Sequence, residues 1–209
     1  PEYIAAHKLE REYLDPITLH TLYRFRSLNE HTKIYGVVGA HTSKSLSPAI
    51  HNSGFERKNI DAVYIPISSP TIDQAVAFTK SAGLAGLSVT HPFKFDIIPF
   101  LDSLCTESRG CGAVNTVLCK EHAWEGFNTD IDGVSKSLQE FLNTRSLRFK
   151  RIAIIGTGGA AHAAAHAVYL LHGKACIFGR TAEKAEQLAR KYRFKWAVLD
   201  LASMPILKK

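Results

Sequence analysis

No run of 18 apolar residues occurs among the 209 positions, so the sequence predicts no transmembrane helix. The opening residues, PEYIAAHKLEREYLDP, lack the basic-then-apolar order of a secretory signal. No methionine starts the chain, and the sequence is expected to be a piece of something longer. The four cysteines, Cys105, Cys111, Cys119 and Cys176, form no CxxC pair and no disulfide-like framework. They read as reduced, buried thiols of a cytoplasmic protein, or of a plastid one in a plant. The ten histidines make neither HExxH nor a Cys/His zinc pattern. His162 and His166 lie four apart on a predicted helix but bring no third ligand, so no metal site is expected. No fixed-period repeat and no low-complexity stretch stands out.

What is there fits one large domain or two small ones with proper cores: 45% of residues are hydrophobic, 10% aromatic and 22% charged. The net charge is +7, from 26 Lys+Arg against 19 Asp+Glu. The positive charge is spread out. Its densest runs, RSLRFKR (145–151) and RKYRFK (190–195), flank apolar segments. A solvated face explains them first and an anionic small ligand second. Nucleic acid has no motif behind it, and no membrane partner is expected.

Along the chain, strands alternate with helices. KIYGVVGA (33–40) reads as a buried strand and AVYIPI (62–67) as a second, with the helix TIDQAVAFTKSA (71–82) following. LAGLSVT (84–90) and VNTVLC (114–119) are further strands, and Trp124 falls in the connection beyond. Ser47 can cap a helix with Pro48 at its first position. DGVSKSLQEFL (132–142) reads as an amphipathic helix able to link two domains. A second unit opens with the strand RIAII, a glycine-rich turn and an Ala-rich helix, and continues through KACIFGR (174–180), TAEKAEQLARKY (181–192) and KWAVLDL (195–201). Such alternation predicts an α/β fold with largely parallel sheets.

Several residues stand out chemically. Lys94 closes SVTHPFK (88–94), among residues that read as partly buried; a lysine held there needs an acidic partner. Gly156-Thr157-Gly158-Gly159-Ala160 sits between a strand and a helix, where glycines let backbone N–H groups approach a diphosphate at the helix N-terminus. A tight turn inside an α/β sheet is the plainer explanation. Ser45 and Ser47, alternating before a helix start, would suit a carboxylate; simple capping by Ser47 explains them as well. Asn115, Asn128 and Asp130 are polar residues in apolar settings. Asx turns account for each separately, whereas a buried Asp opposite Lys94 would account for the lysine.

Together these segments resemble the shikimate dehydrogenases. The resemblance rests on SLSP (45–48), SVTHPFK (88–94), GAVNT (112–116), NTD (128–130), GTGGA (156–160) and GRT (179–181), six motifs in the family's order. It implies an open α/β substrate-binding domain over residues 32–144, followed by a partial Rossmann NADP-binding domain over 145–209. It implies NADPH-dependent reduction of 3-dehydroshikimate to shikimate, in the route to chorismate and the aromatic amino acids. By the same resemblance Lys94 is the acid/base beside Asp130. Ser45 and Ser47 hold the substrate carboxylate, and Thr90, Asn115 and Asp130 its ring hydroxyls. Gly156, Gly158, Gly159 and Ala160 take the cofactor diphosphate, with Arg180, Thr181 and Lys184 near the adenosine phosphate. LYRFRSLNEHTKIYGVVG (22–39) resembles the junction of proteins that fuse dehydroquinate dehydratase ahead of the dehydrogenase, which would make residues 1–31 the dehydratase's tail or linker; a plain N-terminal extension is the alternative.

Two departures from the family pattern matter. Gly179 stands where the family has Asn. The chain also stops before the later strands of the cofactor domain and a C-terminal helix whose Gln touches substrate, which would leave exposed apolar strands in need of a partner. The alternatives are a quinate/shikimate dehydrogenase of different preference and a non-catalytic fragment that keeps the fold. NADP(H) is expected over NAD(H). No acid ends the second strand of the second unit, where an NAD enzyme would carry one, and Arg180 stands there instead.

Overall fold

A computed structural model describes residues 15–120 and 123–200. The chain divides into two compact units, residues 1–87 and 88–209. The domain boundary expected near residue 144 falls within the second of these units. Of the proposed dehydratase tail, residues 1–14 lie outside the described residues.

In the first unit, helix α1 (Pro16–Thr21) is capped by Asp15, whose carboxylate accepts from the Thr18 N–H at 2.9 Å. Strand β1 (Lys33–Gly39), helix α2 (Ser47–Arg57), strand β2 (Ala62–Ser68) and helix α3 (Ile72–Ser81) follow, and strand β3 (Gly86–Val89) leads out of the unit. β1 and β2 run parallel, from Lys33 beside Ala62 to Gly39 beside Ser68, and the order is β2–β1–β3. Both strands are near-continuous apolar runs, as a parallel sheet covered by helices requires. Val37, Val38, Val63 and Ile65 are buried with Ala75, Val76 and Leu84. The outer strand β2 is held by Asn52 of α2. Its amide donates to the Tyr64 carbonyl at 2.9 Å and accepts from the Tyr64 N–H at 2.8 Å. A buried asparagine that clasps edge-strand backbone in this way satisfies itself and guards the edge.

In the second unit, strand β4 (Ser103–Leu104), helix α4 (Thr106–Cys111), strands β5 (Thr116–Lys120) and β6 (Ala123–Phe127) and helix α5 (Asp130–Phe141) come first. The strand order is β3–β5–β6–β4, with β5 and β6 antiparallel. Trp124 therefore lies in a strand, not in a connection, and the sheet is not wholly parallel. Period alone hides β6: Ala-Trp-Glu-Gly-Phe has weak alternation and an internal glycine, and its pairing with β5 is what makes it a strand. α5 begins at Asp130, two residues earlier than the amphipathic pattern indicates.

The chain then alternates through β7 (Arg151–Ile155), α6 (Gly159–Leu170), β8 (Lys174–Gly179), α7 (Ala182–Tyr192) and β9 (Lys195–Val198). These strands form a parallel sheet in the order β7–β8–β9. Ile154, Ala161, Ala165, Val168, Ile177, Leu188 and Ala189 make its core, all buried. Small residues on α6 allow close packing on both sides. Ala163 and Ala167 face a second cluster with Cys111, Ala113 and Ile131, so α6 is sandwiched between its own sheet and α4 and α5. That sandwich brings the glycine-rich turn to the SVTHPFK segment. No helix among the described residues is long and apolar enough to cross a membrane.

Candidate active site

Lys94 is fixed by its backbone before its side chain. The Phe93 N–H donates to the Thr90 carbonyl at 2.9 Å, closing a turn around a cis His91–Pro92 bond. Phe93 is buried at 3% exposure and anchors the turn in the core. The Lys94 carbonyl accepts from the Val114 N–H at 2.8 Å. The side chain, 17% exposed, runs to Asp130 and its ammonium donates to Oδ2 at 2.5 Å. Two charges this close in a partly buried setting offset much of the cost of leaving water.

Asp130 is placed by the start of α5. It is the first helical residue, where the helix dipole favours a carboxylate. Its N–H donates to Asn128 Oδ1 at 3.1 Å, and Asn128 is buried with its own amide on the Ala113 carbonyl at 2.8 Å. The second carboxylate oxygen accepts from the Asn115 amide at 2.8 Å. Asn115 also donates to Thr129 Oγ1 at 2.9 Å, and accepts from the Thr129 N–H at 3.0 Å and the Thr116 hydroxyl at 2.8 Å. All four positions of this amide are in use. In this arrangement Asn115 orients the carboxylate, and a ligand hydroxyl would have to replace one of these bonds. Thr129 and Thr116 were not singled out in the sequence. Thr129 stands between Asn128 and Asp130 in NTD, and that position was the available signal.

Ser45 and Ser47 belong to the first unit. Ser45 Oγ accepts from the Ser47 N–H at 3.2 Å. The N-cap of α2 falls on Leu46, which has no side-chain cap, and Ser47 is already helical. Ser47 is therefore not the cap, because the turn made by Ser45 starts the helix one residue early. The loop ahead is pinned by Thr42, 1% exposed, which bonds the Ser68 hydroxyl through both its N–H (3.1 Å) and its own hydroxyl (2.9 Å).

The glycine-rich turn uses each glycine differently. Gly156 has φ +120°, a conformation open to glycine alone, and its N–H donates to the Phe178 carbonyl at 2.7 Å. Gly158, the N-cap of α6, has ordinary φ −84° and no side-chain capping bond. A Cβ built on it meets nothing within 4 Å. Bare space before an uncapped helix N-terminus is the cradle a diphosphate needs. Gly159 opens the helix, followed by exposed Ala160. At the end of β8, exposed Arg180 and Thr181 precede α7, with Lys184 in its first turn. Gly179 is buried. A Cβ there would stand 2.8 Å from Thr157 Cγ2 and 3.0 Å from Ala185 Cβ, so the branched Thr157 occupies the room a side chain at 179 would need. Basic residues, a hydroxyl and the bare turn together fit a phosphorylated dinucleotide.

Comparison with known proteins identifies the chain's relatives. The family profile described as "Shikimate dehydrogenase substrate binding domain" matches residues 37–117. The chain is 37% identical over 163 residues to "Shikimate dehydrogenase (NADP(+))" of Shouchella clausii, covering 77% of this chain and 59% of that protein. It is 34% identical over 184 residues to the protein of the same name from Carboxydothermus hydrogenoformans, covering 86% and 65%. The chain thus spans about three fifths of the length of these relatives. The crystal structure of shikimate dehydrogenase from Aquifex aeolicus superposes with TM-score 0.77 at 34% identity, over 87% of this chain and 67% of that one. The structure from Thermus thermophilus, in complex with NADP(H) and shikimate, gives TM-score 0.70 at 28% identity, over 79% and 62%. Matching sequence and fold over two thirds of a solved member, the chain belongs to the shikimate dehydrogenase family.

Proposed function

We propose that the protein carrying this chain reduces 3-dehydroshikimate to shikimate with NADPH, on the way to chorismate and the aromatic amino acids. The observation that carries the proposal is the Lys94–Asp130 pair, held by Asn115 in the same unit as the glycine-rich turn. Reducing a ketone to an alcohol adds one hydride and one proton. The nicotinamide, when bound, supplies the hydride. Lys94 supplies the proton: its ammonium donates to the oxygen as charge builds there and regains a proton from solvent afterwards. Asp130 keeps the ammonium aimed, and Asn115 and Asn128 keep Asp130 aimed. Thr90, Asn115 and Asp130 would meet the substrate's ring hydroxyls, and Ser45 and Ser47 its carboxylate. Gly156, Gly158, Gly159 and Ala160 would hold the diphosphate, and Arg180, Thr181 and Lys184 the 2′-phosphate.

In this reading residues 32–144 serve the substrate and 145–209 begin the cofactor domain. Residues 1–31 end a preceding dehydroquinate dehydratase. A cytosolic setting suits four free thiols. A second reading, that these 209 residues fold without turning over, is favoured by their spanning 59% and 65% of two full relatives. The test is turnover of 3-dehydroshikimate with NADPH, by this chain and by the complete natural protein. In the complete protein, Lys94→Ala is expected to lower kcat about a hundredfold or more with a smaller change in substrate affinity. Near-normal kcat in that variant would remove Lys94 from the chemistry.

A further inference from the structure

Gly159 has a reason to be glycine that its backbone dihedrals do not supply and that comes in addition to a diphosphate. It is the first residue of α6, and its φ is not in the left-handed region. A helical position with ordinary dihedrals favours alanine over glycine. Gly158, next to it, has open space around its absent side chain. Gly159 does not: a Cβ there would lie 2.7 Å from Lys94 Cδ, 3.0 Å from Lys94 Cβ and 3.3 Å from Lys94 Cγ. Outside its chain neighbours and its own helix backbone, the three nearest atoms all belong to one side chain, and that side chain carries the ammonium bonded to Asp130.

We infer that Gly159 is a positioning residue for Lys94: the bare face of the turn is the wall along which the lysine stem runs to Asp130. This rests on the proposed role of Lys94 and goes beyond it. Phe93 and the Val114–Lys94 backbone bond fix where the stem begins, and Asp130 fixes where it ends. Gly159 bounds the path between. A methyl group at 159 would press on the lysine stem. The cheapest relief is a rotation of the lysine stem, which withdraws the ammonium from Asp130. One glycine-rich turn thus does two jobs: Gly158 leaves room for a ligand, and Gly159 leaves room for the lysine.

The test compares Gly159→Ala with Gly158→Ala in the complete protein, using two readouts. The first is the rate at which a limiting amine-acylating reagent labels Lys94, measured by peptide mass and referenced to exposed lysines; it needs no turnover. Gly159→Ala is expected to raise Lys94 labelling several-fold, and Gly158→Ala to leave it unchanged. The second is steady-state kinetics. Gly159→Ala is expected to lower kcat about tenfold to a hundredfold, the scale of a misplaced reacting group, beyond any rise in KM for NADPH that it shares with Gly158→Ala. Gly158→Ala should act chiefly on that KM. An inactive wild type would sink the proposed reaction while leaving the labelling test intact. An active wild type with unchanged labelling and kcat in Gly159→Ala would overturn this inference alone. If Gly159→Ala does not fold, Lys94→Gly in the same chain removes Cβ, Cγ and Cδ, all three atoms of the clash, and should restore folding. Failure to restore it would show that the lysine is not the reason for the glycine.

Discussion

Arg180 and Lys184 sit where basic residues are ordinarily unwelcome. They flank the start of α7, whose exposed N-terminus is the positive end of the helix dipole and has no side-chain cap from Thr181. An anion between them would relieve that conflict. Gly179 and Arg180 also end β8 without the acid that binds a bare ribose 2′-OH, and a carboxylate there would repel a 2′-phosphate. The guanidinium can pair with such a phosphate through a two-pronged, charge-assisted bond, and Thr181 can add a hydroxyl. Arg180→Ala is therefore expected to cut the NADPH:NADH ratio of kcat/KM by about tenfold to a hundredfold, the worth of one charged hydrogen bond. An unchanged ratio in the complete enzyme would assign 2′-phosphate recognition elsewhere. Much of this was legible in the sequence, because helix starts and strand ends are marked by local residue types. In the residues themselves the partnership of Lys94 with Asp130 showed only as a need, since 36 residues of chain separate the two; the family resemblance is what named Asp130 as the partner. The direct bonds from Asn115 to Thr129 and Asp130 were not legible in the residues, because nothing in an Asx residue says which distant group it will meet; the resemblance put Asn115 and Asp130 only on the same substrate.

At the level of strands, turns and helices, Gly179 replaces a side chain that the family pattern places at the end of this strand. The packing supplies the reason. β8 ends against the turn after β7, and the Thr157 methyl fills the space beside Gly179, with Ala185 of α7 closing the far side. The two positions behave as one volume divided between neighbours. Gly179→Ala is expected to cost about 1–3 kcal/mol, as overpacking usually does. Thr157→Ser removes the offending methyl and keeps the hydroxyl. In the double variant part of that cost should return, a non-additivity that urea denaturation can read. Strictly additive effects would mean that the two residues do not share the space. The sequence could not disclose this coupling, because each residue taken alone is acceptable in its turn. For the same reason it missed β6, which exists through its pairing with β5, and it started α5 late, where the tertiary setting recruits Asp130 into the first turn. Elements with strong period and clear ends, such as β1, α3, β8 and α7, fell within a residue or two of where they form.

Stability of the whole molecule should carry a pH signature set by the joint of α4, α6 and α7. His162 Nδ1 lies 3.2 Å from the Cys111 carbonyl, and Lys191 donates to the same carbonyl at 3.1 Å. Tyr192 donates to the Gly110 carbonyl at 3.2 Å, so the end of α4 is gripped by three side chains from two helices. A cation at a helix C-terminus is favourable, which suits Lys191. It does not suit a second or third one. Burial, more than any other cause, lowers the pKa of both His162 and His166 below the ordinary 6.5, and the Lys191 charge pushes them the same way. The Cys111 carbonyl on His162 and Glu107 near His166 oppose this less strongly. Burial also lowers His51 in the first unit. Well above pH 6.5 neither the folded nor the unfolded chain binds these protons, and the histidines contribute nothing to the slope. As pH falls through 6.5, the unfolded chain takes up protons that the folded chain resists. Stability therefore drops with falling pH, at no more than about 1.4 kcal/mol per pH unit for each proton, until the folded histidines also titrate. His166 provides the cleanest dissection. Its ring lies 6.4 Å from Tyr169 and 5.8 Å from Tyr192, and its buried Nδ1 has no hydrogen-bond partner among the described residues. His166→Phe keeps a ring in the stack and removes both the titration and the unmatched nitrogen. Urea midpoints measured from about pH 7.5 down to about 5.5, a window spanning the unfolded histidine pKa, should fall less steeply in the variant than in the wild type. Parallel curves for the two proteins would mean that His166 takes no part in the acid loss.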